Sequence, residues 1–133
     1  MGVRTIRVVS AEIQVDGRYL LTQRMPEAVL PGLWEFPGGR VREGESDADA
    51  LFRTLQDRLG VTCEVDEKLL EVRHDYPEWT VLLAVYRCTL DSAPIARRVA
   101  AVAWVEPESL GDYPFPAADA HSVGLLLGDS NDS

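Results

Sequence analysis

The chain has 133 residues, of which 46% are hydrophobic, enough to bury one core but not the cores of two ordinary domains. Its formal net charge is −9, so nucleic acids and anionic membrane surfaces would repel it at long range. We therefore expect neither as a partner, and we expect an anionic ligand to be met locally, by a metal ion or by clustered arginines.

The two cysteines, Cys63 and Cys88, lie in apolar or β-like surroundings, which is more typical of reduced core residues than of a disulfide. No stretch approaches the ~20 apolar residues that a membrane helix needs. The amino-terminal residues enter an alternating strand pattern without an apolar signal core. These features predict a cytoplasmic location.

The predicted elements begin with two β-rich runs, Ile6 to Val15 and Arg18 to Gln23. Asp16-Gly17 between them is a strong hairpin signal, because this dipeptide tolerates positive φ. From Arg24 to Gly44 the chain contains three prolines and several glycines. This composition predicts an ordered but irregular loop, where binding groups commonly collect.

A helix is predicted after this loop. Ser46-Asp47-Ala48-Asp49 fits a capping box, in which the serine hydroxyl satisfies a free amide and Asp49 reaches back. Apolar residues then recur at helical spacing and predict one buried face, and Gly60 supplies the carboxyl-terminal stop. The predicted face consists of Ala48, Leu51, Leu55 and Leu59.

The second half of the chain is predicted to contain mostly strands. They are Cys63 to Arg73, Val81 to Leu90 and Val99 to Val105. The middle run is apolar enough for a central strand covered on both faces. Pro107 to Leu110 predicts one helical turn, and Ala117 to Leu127 a terminal helix. Strands interleaved with two helices predict one α/β domain, residues 1–127, followed by a polar tail, 128–133.

The most specific pattern runs from the irregular loop through the predicted helix. Its members, in order and without an insertion, are Leu33-Trp34-Glu35-Phe36-Pro37-Gly38-Gly39, Glu45, Arg53, Leu55, Gly60 and Val61. This series resembles the Nudix box, which reads Gly, five residues, Glu, seven residues, and then Arg-Glu-aliphatic-x-Glu-Glu-x-Gly-aliphatic.

The resemblance to the MutT-like branch of this family extends over nearly the whole chain. Further matching segments are Leu21-Thr22-Gln23-Arg24, Tyr76-Pro77, Trp104-Val105 and Tyr113-Pro114-Phe115-Pro116-Ala117-Ala118-Asp119-Ala120. The resemblance implies an α/β/α sandwich, with a mixed β-sheet between helices. It also implies hydrolysis of nucleoside triphosphates or other nucleoside diphosphate derivatives, with Mg²⁺ or Mn²⁺ as the cofactor that neutralises charge on the reacting oxygens.

The acidic positions of the box depart from the family pattern. Thr54, Asp57 and Arg58 stand where the family has glutamates. Arg98 stands six residues before Trp104, where the family often has a fourth acidic group. A guanidinium at a metal position repels a cation by roughly 4 kcal/mol per close unit-charge pair at an effective dielectric near 20. The sequence therefore predicts that hydrolysis is weak or lost.

Other residues keep the family's type, and the resemblance implies roles for them. Glu45, Arg53 and Asp57 take the catalytic positions. The Gly38 carbonyl and Asp57 are the remaining metal ligands. Simpler interpretations stay open: Arg53 could pair with Glu45, or with Asp57 one helical turn away, and Gly38 with Gly39 could form a tight turn with positive φ.

The resemblance also implies a nucleotide or another phosphate-containing small molecule as the ligand. The candidate binding residues are Arg24, Phe36, Arg58, Arg98 and Asp119. Arg24 suits a phosphate or a base, and Phe36 suits the lining of a base pocket. Asp119 stands where MutT-like proteins have an asparagine that reads a base edge, and an ionised carboxylate only accepts hydrogen bonds.

Three functions remain open on the sequence alone. The first is a slow metal-dependent hydrolase that acts through Asp57 and Glu45. The second is a catalytically silent binder that holds phosphate with Arg24, Arg58 and Arg98, unless the last two are merely solvated surface arginines. The third is an interaction domain, like the Nudix-related domain of some adenine DNA glycosylases, and the net charge of −9 counts against it.

Overall fold

A computed structural model describes residues 4–27, 31–75, 77 and 79–114. These residues form eight β-strands, one α-helix and a short 3₁₀ helix. The elements are β1 Arg4–Glu12, β2 Gln14–Val15, β3 Arg18–Gln23, β4 Trp34–Glu35, β5 Gly38–Arg40, α1 Asp47–Leu59, β6 Cys63–Asp75, β7 Trp79–Leu90, β8 Ala101–Val105 and the 3₁₀ helix Pro107–Asp112. The predicted terminal helix, the polar tail and Asp119 lie outside the described residues.

The strands form two four-stranded sheets. In the first, with the order β5-β1-β7-β6, the central strands β1 and β7 are parallel and each outer strand is antiparallel to its neighbour. The sheet is therefore mixed, as the sequence predicts. In the second sheet, β8 pairs along β3 from Tyr19 to Gln23, β2 pairs with the start of β3, and β4 pairs with its end.

The predicted hairpin is confirmed between β2 and β3. Asp16 and Gly17 at its tip have φ angles of 51° and 77°. The prediction of one continuous strand from Ile6 to Val15 is wrong, because the chain leaves the first sheet at Ile13 and enters the second. Ile13 itself stays buried in the core. The hydrophobic pattern consequently continues across a break that only the strand pairing reveals.

The carboxyl end of α1 is formed as the sequence predicts, and the amino end in part, because among the described residues Asp49 makes no hydrogen bond back to the Ser46 amide. The Ser46 hydroxyl accepts a hydrogen bond from the amide of Asp49 at 3.1 Å. At the other end Gly60 adopts the left-handed conformation, with a φ of 66°, and its N–H donates to the carbonyl of Gln56. These local interactions fix the length of the helix.

The buried face of α1 differs from the prediction at its start. Ala48 is exposed, so its assignment to this face is wrong. The buried residues are Ala50, Leu51, Thr54, Leu55 and Leu59. The apolar ones among them pack against side chains of β1, β3 and β7 in the largest core cluster of the described residues. None of the helices in the described part of the chain has the length and hydropathy of a membrane span.

The central strand β7 is covered on both faces, as its apolar run predicts. Ala84 and Cys88 belong to the core under α1, whereas Leu83 and Val85 pack with Val72 in a separate cluster. Alternate residues of a strand point to opposite faces, so the two clusters lie on opposite sides of the sheet. The cysteines of β6 and β7 are free thiols, as predicted.

Asp47 ties the amino end of α1 to the first sheet. Arg7 on β1 donates from Nε and Nη2 to the two carboxylate oxygens of Asp47, at 2.7 and 2.6 Å. The Tyr86 hydroxyl on β7 donates to the same carboxylate at 2.6 Å. The hydrogen bond from Arg7 lowers the pKa of Asp47 below its ordinary value, and the one from Tyr86 adds to this.

We predict that Asp47→Asn destabilises the fold by ~1–3 kcal/mol at neutral pH, because charge-assisted hydrogen bonds are lost. Folding lowers the pKa of Asp47, so its stabilisation is present above the unfolded-state pKa near ~3.9 and disappears as the pH falls through the lower pKa of the folded state. Denaturant unfolding at neutral and acidic pH measures both effects.

The matched control for this prediction is Asp49→Asn, which removes an exposed carboxylate from the same helical turn. We expect a loss of a few tenths of a kcal/mol, the value typical of an exposed charge near a helix amino terminus. Equal losses in the two variants, or a deficit for Asp47→Asn that persists in strong acid, would contradict this account of the helix anchor.

Candidate functional site

Two adjoining cavities lie between β4, β5, the loop after β3 and the carboxyl end of α1. Their volumes are about 490 and 220 Å³, and Arg24, Glu35 and Arg58 line both. We therefore treat them as one cleft. Its larger cavity also contacts Asp57 and Arg98.

The cleft collects most of the site residues predicted from the sequence. Those that line it are Arg24, Phe36, Gly38, Asp57, Arg58 and Arg98. Glu45 and Arg53 are not among the lining residues, and Asp119 lies outside the described part of the chain. Three charged lining residues were not predicted as site residues: Glu27, Glu35 and Arg40. Glu35 adjoins Phe36 in the matched segment, and this adjacency was the available signal.

Arg58, in the last turn of α1, bonds directly to the strand that carries the glycine pair. Its Nη1 donates to the Gly38 carbonyl oxygen at 2.7 Å, and this contact is partly buried. The resemblance implies a metal ion as the partner of that carbonyl. In the structure the oxygen is already the acceptor of a charge-assisted hydrogen bond from a side chain of the protein.

Gly38 and Gly39 are required by close packing, and the predicted tight turn with positive φ is wrong. Both residues lie in β5, and neither has a positive φ. A Cβ added to Gly38 would lie 2.0 Å from the Val9 carbonyl oxygen on β1. A Cβ added to Gly39 would lie 2.6 Å from Cγ2 of Thr54 on α1. The glycines let β1, β5 and α1 approach one another closely.

Glu45 and Arg53 form a bidentate ion pair beside the cleft. Arg53 Nε and Nη2 donate to the two carboxylate oxygens of Glu45 at 2.8 and 2.9 Å. Nη2 also donates to the carbonyl of Arg40 at 2.9 Å. The hydrogen bond from Arg53 is the largest of the causes that lower the pKa of Glu45 to about 2. The pair therefore braces the loop between β5 and α1.

Asp57 pairs with Arg98, which comes from the segment before β8. Arg98 Nε lies 3.1 Å from Asp57 Oδ1, and the two side chains are 64% and 49% exposed. The backbone N–H of Arg98 donates to the carbonyl of Arg58 at 2.9 Å. The carboxyl end of α1 therefore positions the backbone of Arg98 firmly, while the exposed ion pair itself contributes only ~0–1 kcal/mol.

Arg24 and Glu35 form a third ion pair, on the floor of the cleft. Arg24 Nη1 donates to Glu35 Oε1 at 3.0 Å, and the Glu35 side chain is only 15% exposed. Burial raises the pKa of Glu35, and the charge of Arg24 opposes that shift. The cleft therefore contains a partly buried carboxylate whose charge is balanced within the protein.

The residues present do not fit the divalent metal ion that the resemblance implies. The Gly38 oxygen accepts from Arg58, and Asp57 is paired with Arg98. Thr54 is buried, and its hydroxyl donates to a backbone carbonyl of its own helix. Across residues 4–27, 31–75, 77 and 79–114, no cluster of three His, Cys, Asp or Glu side chains could hold a metal. The ligand positions that the resemblance implies are therefore already bonded within the protein.

Comparisons with known proteins agree with this geometry at the level of the fold. A family model described as a NUDIX domain matches residues 8–123. The CTP pyrophosphohydrolase of Escherichia coli (strain K12) is 33% identical over 118 residues, which cover 88% of this chain and 87% of the relative. A putative 8-oxo-dGTP diphosphatase 2 of Mycobacterium tuberculosis (strain ATCC 25618 / H37Rv) is 35% identical over 130 residues, 95% and 91% of the two chains.

Solved structures of Nudix and MutT proteins are also similar to this chain. The solution structure of the E. coli ORF135 protein superposes with a TM-score of 0.84 at 31% identity, covering 95% of this chain and 91% of that one. The crystal structure of a MutT protein from Methanosarcina mazei Go1 has a TM-score of 0.82 at 22% identity, which supports the fold alone. The predicted α/β/α sandwich is therefore confirmed, and the chain belongs to the Nudix family, as a MutT-like protein.

Proposed function

We propose that this protein binds a nucleotide or another phosphate-containing small molecule in the cleft, and that its hydrolytic activity is weak or lost. The observation that carries the proposal is the 2.7 Å hydrogen bond from Arg58 to the Gly38 oxygen. It puts a fixed positive charge where the family's reaction calls for a metal ion.

The charge of the cleft supports an anionic ligand. Four arginines and three carboxylates line it, a balance of one positive charge in a chain whose net charge is −9. The arginines are Arg24, Arg40, Arg58 and Arg98, and the carboxylates are Glu27, Glu35 and Asp57. Because the rest of the surface repels anions, the cleft is the favoured place for a phosphate group.

The relatives narrow the choice of ligands to test. Their names refer to CTP and to 8-oxo-dGTP, both nucleoside triphosphates. Phe36 is 1% exposed and forms part of the cleft wall, next to Tyr19 with an edge-to-face contact of 6.1 Å between ring centroids. An aromatic wall beside clustered arginines suits a base joined to a phosphate chain.

Weak or lost hydrolysis follows from what a guanidinium lacks. Nudix hydrolases generally use divalent metal ions, which neutralise charge and lower the pKa of a bound water. An arginine can bind phosphate oxygens, but it offers no coordination site for water and keeps its proton at all physiological pH values. Replacement of metal ligands by Arg58 and Arg98 therefore preserves attraction for phosphate more readily than it preserves catalysis.

A slow metal-dependent hydrolase is the second candidate, and the exposure of Asp57 favours it. The ion pair with Arg98 is open to solvent and can be broken at little cost. Mg²⁺ often binds through one or two carboxylates together with substrate phosphates. Asp57 therefore remains available to a nucleotide-bound cation.

We predict that the protein without nucleotide binds Mg²⁺ and Mn²⁺ more weakly than micromolar affinity. The reason is that Gly38 and Asp57 are already bonded to arginines, and Thr54 supplies no carboxylate. Isothermal titration calorimetry measures this directly. A stoichiometric site with micromolar affinity would show that the assignment of ligands is wrong.

We also predict that CTP and 8-oxo-dGTP, each incubated with the protein and Mg²⁺ or Mn²⁺, release pyrophosphate or phosphate at rates close to those without protein. Chromatography of the nucleotides over time measures the rate. Turnover of either nucleotide at ordinary enzymatic rates, ~1 s⁻¹ or faster, would reject the loss of catalysis.

A third prediction concerns rescue of the metal site. The combined changes Asp57→Glu, Arg58→Glu and Arg98→Glu should restore metal binding and raise hydrolysis above that of the parent. Each single change should do much less, because the ligands of one metal act together. Thr54→Glu is left out, since Thr54 is 3% exposed and packs on Gly39, where a larger charged side chain would be buried.

The control for the rescue is Arg97→Glu, which places a carboxylate one residue from Arg98 on a side chain that does not line the cleft. It should leave metal binding unchanged. If the triple variant folds and binds metal but hydrolyses neither nucleotide, the pocket does not accept these substrates, and the proposed ligand class has to be revised.

A further inference from the structure

We infer that Arg58 takes the place of the family's divalent cation, so that the cleft binds the metal-free form of a polyphosphate chain in preference to its magnesium complex. This inference rests on the proposed function, because it states how the same ligand is held. It reverses the usual dependence on metal, since added Mg²⁺ would weaken binding.

Arg58 is oriented by contacts with both glycines of β5. Its Nη1 is bonded to the Gly38 oxygen, and its Nη2 lies against Gly39, 3.5 Å from the position that a Cβ would take there. A guanidinium has five N–H donors, so the bond to Gly38 orients the group and leaves donors for a ligand. Among the described residues Arg58 forms no ion pair of its own, and Glu35, on which its charge acts, is paired with Arg24 at 3.0 Å. Arg58 can therefore bind an anion without giving up an ion pair.

Arg58 faces both parts of the cleft. It lines the cavity of about 490 Å³ and the cavity of about 220 Å³. Arg98 borders the larger cavity, and Arg40 the smaller. A chain of phosphates that passes Arg58 would consequently meet a further arginine on either side. Planar guanidinium groups bind phosphate oxygens through paired hydrogen bonds.

Arg98 can exchange its carboxylate partner, Asp57, for a phosphate group. Its backbone is held by the Arg58 carbonyl, whereas its side chain is 64% exposed in the pair with Asp57. An exposed pair of this kind is weak, so a phosphate group that carries more charge can displace the carboxylate. Ligand binding would then transfer Arg98 from Asp57 to the phosphate chain.

The preference for the metal-free ligand follows from charge. A bound Mg²⁺ neutralises two negative charges of the phosphate chain and occupies oxygens that the arginines would otherwise bind. It would also be repelled by the nearby guanidinium groups. Two of the three carboxylates of the cleft already face arginines, Glu35 with Arg24 and Asp57 with Arg98, which leaves little negative charge to offset that repulsion. The magnesium complex therefore has fewer partners in this cleft.

The experiment is isothermal titration calorimetry of the whole chain with two probes, inorganic triphosphate and CTP. Each is titrated in EDTA and again with Mg²⁺ in large excess at the same ionic strength. For both probes we expect binding in EDTA to be about tenfold tighter or more, where one decade corresponds to ~1.4 kcal/mol. Affinity in EDTA should fall as the salt concentration rises.

Single substitutions test which arginines bind the phosphate chain in EDTA. Arg58→Gln and Arg98→Gln should each weaken binding in EDTA about tenfold or more, a loss of ~1.4 kcal/mol or more. Arg97→Gln is the matched control, because it removes the same charge from the preceding residue, which is exposed and does not line the cleft. It should bind as the parent does. Arg98→Gln keeps the test valid if Arg58→Gln fails to fold, since Arg98 is on the surface.

Asp57→Asn separates the two ways of holding phosphate by the sign of its effect. If arginines hold the ligand, the change removes a competing negative charge and frees Arg98, so the affinity in EDTA should rise. If a metal ion holds the ligand, the same change removes a metal ligand, and affinity in Mg²⁺ should fall. The inference is overturned if the parent binds the probes only with Mg²⁺. It is also overturned if Asp57→Asn binds them more weakly than the parent in EDTA.

The outcomes also separate this inference from the proposed function. Binding that is tighter in Mg²⁺ overturns the inference but leaves the protein a binder of phosphate-containing ligands. Equal affinities of the parent, Arg58→Gln and Arg98→Gln likewise overturn the inference alone. No binding of triphosphate, CTP or 8-oxo-dGTP in either buffer rejects the proposed ligand class, and with it the inference.

Discussion

The hydrogen bond between Arg58 and the Gly38 carbonyl is the interaction on which the site depends. It joins the last turn of α1 to β5 across 20 residues of sequence, at 2.7 Å. A metal ion at this place would be exchangeable and removable by a chelator, whereas a guanidinium is a permanent part of the chain. The cleft therefore has a positive charge at this point that does not depend on a bound ion.

The rest of the fold holds the two partners of this bond in place. β5 is pressed so closely against β1 that only glycine fits at Gly38. α1 is fixed at its amino end by the contacts of Asp47 with Arg7 and Tyr86. Its carboxyl end accepts backbone hydrogen bonds from the segment that leads to β8, including that of Arg98. Close packing and backbone hydrogen bonds thus position the site, and the ion pair of Asp57 with Arg98 is exposed to solvent.

Sequence reasoning succeeded where the determining interactions are local. The ends of α1 were predictable, because Ser46 and Gly60 act on backbone groups within one turn. The β2–β3 hairpin was predictable, because Asp16-Gly17 sets its own φ angles. The family was predictable because the spacing of the box is itself the signal. The sequence by itself therefore determined the principal elements and the family.

Only the tertiary structure decided which charged groups meet. Asp57 could have paired with Arg53 one turn away, but the path of the chain before β8 brings Arg98 to it. From the sequence, Arg58 could be a phosphate-binding residue or a solvated surface arginine. The pairing of β5 with β1 places the Gly38 oxygen where Arg58 can donate to it. Glu35 lines the cleft, although the sequence does not predict it as a site residue. Such partnerships depend on distances between elements remote in sequence, which local propensity and spacing do not specify, because packing sets them.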